Sequence, residues 1–280
     1  MVAHSWNCPT CSSTLSTPYC PTCGERPPNA RDLTLRGLFH QLLRAFSTID
    51  GKLLRSFRSL LTCPGALTVA YVQGRRVGYL KPLQLFLVAN VLFFAMQSLT
   101  HTNIVSSPLD SHLHQQDWQA TAQRMVTERL EALHTTLDRY APLFDRAIVL
   151  HAKSFIILMV LPFTLLLPVL FRRNPQPFVA HAVFALHFYA FLLLLFCVAL
   201  AVAAVDVLLG GGGLESARMD HALSVINLAV SAIYLYLALG IAYDARGVLR
   251  IVKALTLTMA VAIILLGYRF MLFLVTLYTT

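Results

Sequence analysis

The chain has 280 residues, of which 57% are hydrophobic and only 12% charged, with a formal net charge of +9. A soluble domain carries about a quarter charged residues, so this composition argues against a soluble globular protein. The apolar excess gathers in long runs of the kind that cross a bilayer. The cations stand at the ends of those runs, which ties the positive balance to membrane topology and not to nucleic acid.

The first thirty residues contain Cys, Pro and polar residues without an apolar core, so no cleavable secretory signal is expected and the segment stays where it is made. Residues 8–24 read CPTCSSTLSTPYCPTCG, with Cys8, Cys11, Cys20 and Cys23 in two C-x-x-C pairs. One such pair places two thiolates on one face of a metal, and two pairs complete a tetrahedron. Pro9 and Pro21 stiffen the turns, and Gly24 lets the backbone bend after the last ligand. Soft thiolates in that geometry select zinc first and iron second; a disulfide pair or idle thiols are the alternatives. The motif resembles the short zinc-ribbon knuckles, C-P-x-C…C-P-x-C-G. A closed site of four cysteines is structural rather than catalytic, and metal binding supplies the folding energy that so short a segment cannot draw from a core. Residues 1–26 are therefore read as a zinc ribbon.

A second region, 27–81, opens with the hinge ERPPNARD. Leu35, Leu38, Phe39, Leu42, Phe46, Ile49, Leu53, Phe57 and Leu60 then recur at helical spacing, with Arg36, Arg44, Arg55 and Arg58 on the opposite face. Such a basic amphipathic helix lies in the membrane interface with its arginines toward anionic headgroups, or packs on the cytoplasmic side of its own bundle. Asp50-Gly51 is a candidate break. Pro64-Gly65 ends the helix, Gly74 and Gly78 flank Arg75 and Arg76, and Lys81 precedes an apolar run beginning at Pro82. These three cations form a cytoplasmic anchor.

The third region, 82–280, predicts an all-α polytopic membrane domain with five transmembrane helices, near 82–100, 148–171, 181–206, 222–243 and 253–278. With the N-terminus inside, segments 1–81, 172–180 and 244–252 hold ten, two and two Lys/Arg, against four and one in 101–147 and 207–221. The positive-inside rule favours that orientation, which leaves the C-terminus outside. The outer loop 101–147 has helical spacing over 117–141, through Trp118, Ala122, Met125, Val126, Leu130, Leu133, Leu137 and Tyr140. His112 and His114 before it read as surface histidines, and Gly210–Gly213 as a flexible outer loop.

Ionisable groups inside spans are costly and are functional candidates. They are His151 and Lys153 near the outer end of span two, His181 and His187 in span three, Asp206 at its outer end, and Arg269 in span five. His181 and His187 are six residues apart and cannot form the i, i+4 pair of a helix-borne metal site. An Asp206–Arg269 pairing is geometrically open. Mutual pairing that fixes helix register is one reading of these groups, and a polar pathway is the other.

The knuckle CPTC…YCPTCGE, the stretch LLTCPGALTVAYVQGRRVGYLKP, AHAVFALHFYAF, and IYLYLALGIAYDARG together resemble the bacterial domain-of-unknown-function family 3667. The positions that carry the likeness are Pro64, Gly65, Tyr71, Gly74, Arg76, Tyr79, Pro82, His181, Phe184, Ala185, Leu186 and His187. The family's Glu before the first histidine is Ala180 here, which weakens any acid–base or metal role for that pair. The resemblance implies a zinc ribbon ahead of several spans, and no particular reaction.

The expected function is of transport type, a channel, small-solute or lipid transporter in a bacterial inner membrane. An alternative is a scaffold or assembly factor whose ribbon docks a cytosolic partner while the spans hold a membrane one. An intramembrane enzyme using His181 and His187 ranks third, so enzymatic activity is not the leading expectation. The bilayer and anionic headgroups are the expected partners, with a homo-oligomer or a second protein open and nucleic acid not expected.

Overall fold

A computed structural model describes residues 6–7, 13–17, 19, 21, 51–75, 78–100, 104, 106–172 and 176–280. The chain forms two units, 1–52 and 53–280. In the first, strand β1 (Trp6–Asn7) pairs antiparallel with β2 (Thr14–Leu15), Trp6 opposite Leu15 and Asn7 opposite Thr14. The side-chain hydroxyl of Thr17 donates to the Tyr19 carbonyl at 2.7 Å. Cys8, Cys11, Cys20, Cys23, Arg36, Arg44 and Arg76 lie outside the described residues.

The described residues of the second unit form helices joined by turns. Residues 51–62 form α1, followed by α2 (Ala66–Val72) and α3 (Pro82–Thr100). Then come α4 (Leu109–His114), α5 (Gln119–Ala132), α6 (Leu137–Phe155), a 3-10 turn (Ile156–Met159) and α7 (Val160–Leu170). Three long helices complete it: α8 (Phe178–Leu208), α9 (Ala217–Ala242) and α10 (Gly247–Thr279).

Among the described residues, five stretches are long and apolar enough to cross a membrane: Pro82–Thr100, Leu137–Leu170, Phe178–Leu208, Arg218–Ala242 and Gly247–Thr279. The number agrees with the sequence reading; the first span keeps its expected bounds, and the other four begin earlier than expected. The second span starts at Leu137 and not near 148, because Tyr140, Phe144, Ile148 and Ala152 recur every fourth residue and are all buried. One buried stripe therefore continues from the loop into the membrane. The helix expected over 117–141 divides at Leu133–Thr136, where His134 takes a left-handed φ of 50°. A 3-10 turn interrupts span two just before Pro162, a residue with no N–H to complete an i→i−4 bond.

Helix α3 lies along α8, and α9 lies along α10. A large apolar core fills most of the bundle, built around Phe86, Phe93, Phe144, Phe163, Phe188 and Phe273, and a small second cluster joins Ala199, Ala203 and Leu223. Leu150, Leu161, Leu165, Val198, Ile233 and Ile263 are exposed on the outside. Lipid chains are as apolar as these residues, so the helices gain more from close packing than from hiding them. Of the two readings of the amphipathic helix, the described end packs on the bundle: Leu60 is buried and Phe57 sits against the core, while Arg55 and Arg58 are exposed.

Candidate functional site

Five antiparallel crossings sort the polar residues to two ends of the bundle. The proximal end carries residue 81, the turn before α8 and the α9–α10 turn; the distal end carries α4, α5 and the α8–α9 turn.

At the proximal end, Pro64 and Gly65 are buried and start α2 directly against α9. Gly65 has φ +89°, and a Cβ there would stand 2.7 Å from the Ala238 carbonyl oxygen. Only glycine combines that backbone conformation with so close an approach. Docked this way, α2 turns Leu67, Thr68 and Ala70 inward. Thr68 Oγ1 and His187 Nδ1 lie 2.9 Å apart. After α2 the chain turns at Gly74, where the Arg75 amide donates to the Ala70 carbonyl at 2.9 Å. The Leu80 amide then donates to the buried Ser56 hydroxyl at 2.9 Å, which fixes the approach to Pro82.

These anchors enclose a small cleft lined by Leu67, Tyr71, Arg75, Tyr79, Leu80, Lys81 and His187. Its enclosed volume of about 20 Å³ is room for about one water molecule. Two cations, two tyrosines and one histidine share the cleft, and among the described residues no carboxylate lines it.

His181 belongs to a neighbouring assembly. Its Nδ1 is 2.8 Å from the Tyr243 hydroxyl, Tyr243 stacks on Phe171 with ring centroids 4.0 Å apart, and the Lys253 ammonium lies 4.0 Å from the Phe171 centroid. Gln176 Nε2 donates to the Ala242 carbonyl at 3.0 Å. Ala180, beside His181, is buried against the bundle.

The distal end gathers a different set. Arg269 Nη2 donates to the Ser107 hydroxyl, and Gln97 Nε2 donates to Ser106 Oγ at 2.9 Å. His112 is fully buried between Phe273 and Phe144 and accepts the Trp118 indole N–H on Nδ1 at 3.3 Å. Desolvation first, and the Arg269 guanidinium second, lower its pKa to about 4, so it is neutral at pH 7. His112 is thus a core residue and not the surface histidine expected; His114 is exposed and pairs with Asp110 at 2.9 Å. Asp206 accepts the Gly213 amide at 2.9 Å and closes its own turn, while Arg269 turns to Ser107, so the two do not form the pairing left open by the sequence. His151 Nδ1 is 2.9 Å from Thr276 Oγ1, and the Lys153 ammonium is 6.0 Å from the Phe94 centroid.

Of the six intramembrane candidates, then, His187 alone reaches the cleft, and the others have separate partners. The sequence does not single out Thr68, Tyr243 and Ser107, and Trp118 reads there only as part of a helix face. Each is an ordinary residue until a partner roughly 60 or more positions away, or a folded-back loop, gives it a role. For Thr68 the only local signal was its place in the motif stretch ending at Pro82.

A bundle of five apolar helices with polar groups at both ends defines a multi-pass membrane protein in contact with a lipid bilayer. The model of a family described as "Protein of unknown function (DUF3667)" matches residues 50–94, which supports placing the chain in that family. The matched segment runs from α1 into α3 and supplies one wall of the cleft; His187, in the other wall, lies beyond it. No curated protein and no solved structure matches the chain.

Proposed function

We propose that the chain is a transport-type protein of the lipid-handling kind, with the cleft over His187 as its working site. The observation that carries this reading is that Tyr71 and Tyr79 meet His187, more than a hundred residues further along the chain, on one cleft at the proximal end, where Thr68 Oγ1 touches His187 Nδ1. Elsewhere the bundle is filled by bulky aromatic side chains, and the cleft admits about one water, so a solute the size of a sugar or amino acid has no room there. A lipid needs none, since its chains stay outside the bundle and only its polar group meets the protein.

In this reading the proximal end faces the cytoplasm of a bacterial inner membrane, as the distribution of Lys and Arg favours. The four-cysteine segment is a structural zinc ribbon on the same side. Its donor chemistry suits zinc, and the antiparallel pairing of β1 with β2, which flank Cys8 and Cys11 in the sequence, supports this reading. The scaffold alternative would use the same ribbon to dock a cytosolic protein.

The test is reconstitution of the full chain into vesicles with two readouts, translocation of a headgroup-labelled lipid and efflux of an entrapped anionic dye. Lipid translocation above protein-free vesicles without dye efflux supports the reading. Dye efflux without lipid translocation, or neither, overturns it.

A further inference from the structure

We propose that the cleft binds the phosphate of an anionic phospholipid, with Arg75 and Lys81 as the cationic contacts and the acyl chains lying along α3; this rests on the lipid-handling reading above. Arg75 and Lys81 are exposed at the rim of one cleft, and neither is paired with a carboxylate among the described residues. Three other cations of the proximal end are engaged elsewhere. Arg246 holds Asp244 at 2.9 Å, Arg250 donates to the Tyr236 carbonyl at 2.6 Å, and Lys253 covers Phe171.

Arg75 is also positioned. Its amide is tied to Ala70 and its Nη2 donates to Gln73 Oε1 at 2.6 Å, which leaves other guanidinium N–H groups for a ligand. A guanidinium meets phosphate oxygens through a planar fork, and an ammonium adds a compact charge. Tyr71 and Tyr79 place phenol groups on the same lining, suited to the interfacial depth at which tyrosine collects.

The cleft is too small for a whole headgroup. It fits one phosphate oxygen or a bridging water above His187, whose Nδ1 is already engaged by Thr68. Immediately beyond Lys81, the side chains of Leu83, Leu87 and Val91 are exposed at four-residue intervals along α3. That spacing makes an apolar stripe on one helix face, leading away from the cleft along the span. A free anion has no use for the stripe; a phospholipid occupies cleft and stripe together.

The experiment measures binding to the full-length protein in neutral detergent, by native mass spectrometry and by thermal shift. The probes are phosphatidylglycerol, phosphatidylcholine and inorganic phosphate. Phosphatidylglycerol should bind at least tenfold tighter than phosphatidylcholine, and that preference should vanish in the Arg75→Gln/Lys81→Gln double variant. An Arg124→Gln/Arg139→Gln control on the distal side should keep it. Equal binding of the two lipids overturns the proposal, and so does an unchanged preference in the double variant. Inorganic phosphate stabilising the protein as well as the lipid would also overturn it, in favour of a small-anion site. All four substituted side chains are exposed, and elution as a monodisperse species confirms that the variants fold. Because this assay reads binding alone, lipid selectivity without translocation would sink only the transport reading, and translocation without selectivity only the present one.

Discussion

Thr68 Oγ1 and His187 Nδ1 stand 2.9 Å apart across 119 residues of sequence, both buried. This contact joins the segment before the first span to the middle of the bundle, and Thr68→Val tests it. Valine keeps the shape and removes the hydroxyl, leaving the imidazole nitrogen without its partner. The loss is about 1–3 kcal/mol, read as a lowered melting temperature of the solubilised protein. An unchanged melting temperature would mean that the contact does not hold α2 in place.

Gly65 and Gly74 form a natural pair for substitution by alanine. Both have positive φ, but a Cβ on Gly65 meets the Ala238 backbone while one on Gly74 meets open space. Gly74→Ala should cost about 1 kcal/mol of backbone strain. Gly65→Ala adds an overpacking penalty of about 1–3 kcal/mol and should loosen the cleft as well. Equal destabilisation of the two would contradict the close α2–α9 approach.

His112 makes stability depend on pH. Its pKa is about 4 in the folded chain against an ordinary 6.5, so between those values the unfolded chain binds more protons. Stability therefore falls as pH drops through that window, by about 2 kcal/mol from this group at pH 5. Unfolding measured at pH 7.5 and pH 5 should show a smaller difference in His112→Gln than in the parent. The same slope in both would place the titration elsewhere.

How much of this was legible beforehand depended on whether the signal was local. Five spans stood out because roughly twenty apolar residues in a row have few other uses. The cleft did not, because Tyr71, Arg75 and Lys81 are separated from His187 by two crossings of the membrane. The motif residues could be marked as special without indicating that Thr68 was the one to touch the histidine. His112 misled for a similar reason: in SHLHQQD it looks like its neighbour His114, and only the folding of α4 back onto Phe273 and Phe144 separates the two. The Asp206–Arg269 pairing failed because Asp206 found a nearer donor, the Gly213 amide seven residues on.

The cysteine segment yields a prediction about metal. The purified full chain should carry one zinc, and Cys20→Ser should release it, since three thiolates bind far less tightly than four. Elemental analysis alongside a membrane-insertion assay reads both outcomes. A variant without zinc that still inserts fits a peripheral ribbon; one that fails to insert would make the ribbon integral to the fold.

Whether the cleft over His187 does the work is read directly from the rate at which a headgroup-labelled phosphatidylglycerol crosses vesicles containing the parent chain or His187→Asn. Asparagine keeps a polar group but not the ring that meets Thr68. Transfer should run well above protein-free vesicles for the parent and fall at least tenfold in the variant, with both reconstituted to the same density. Equal rates for parent and variant would contradict that role of the cleft.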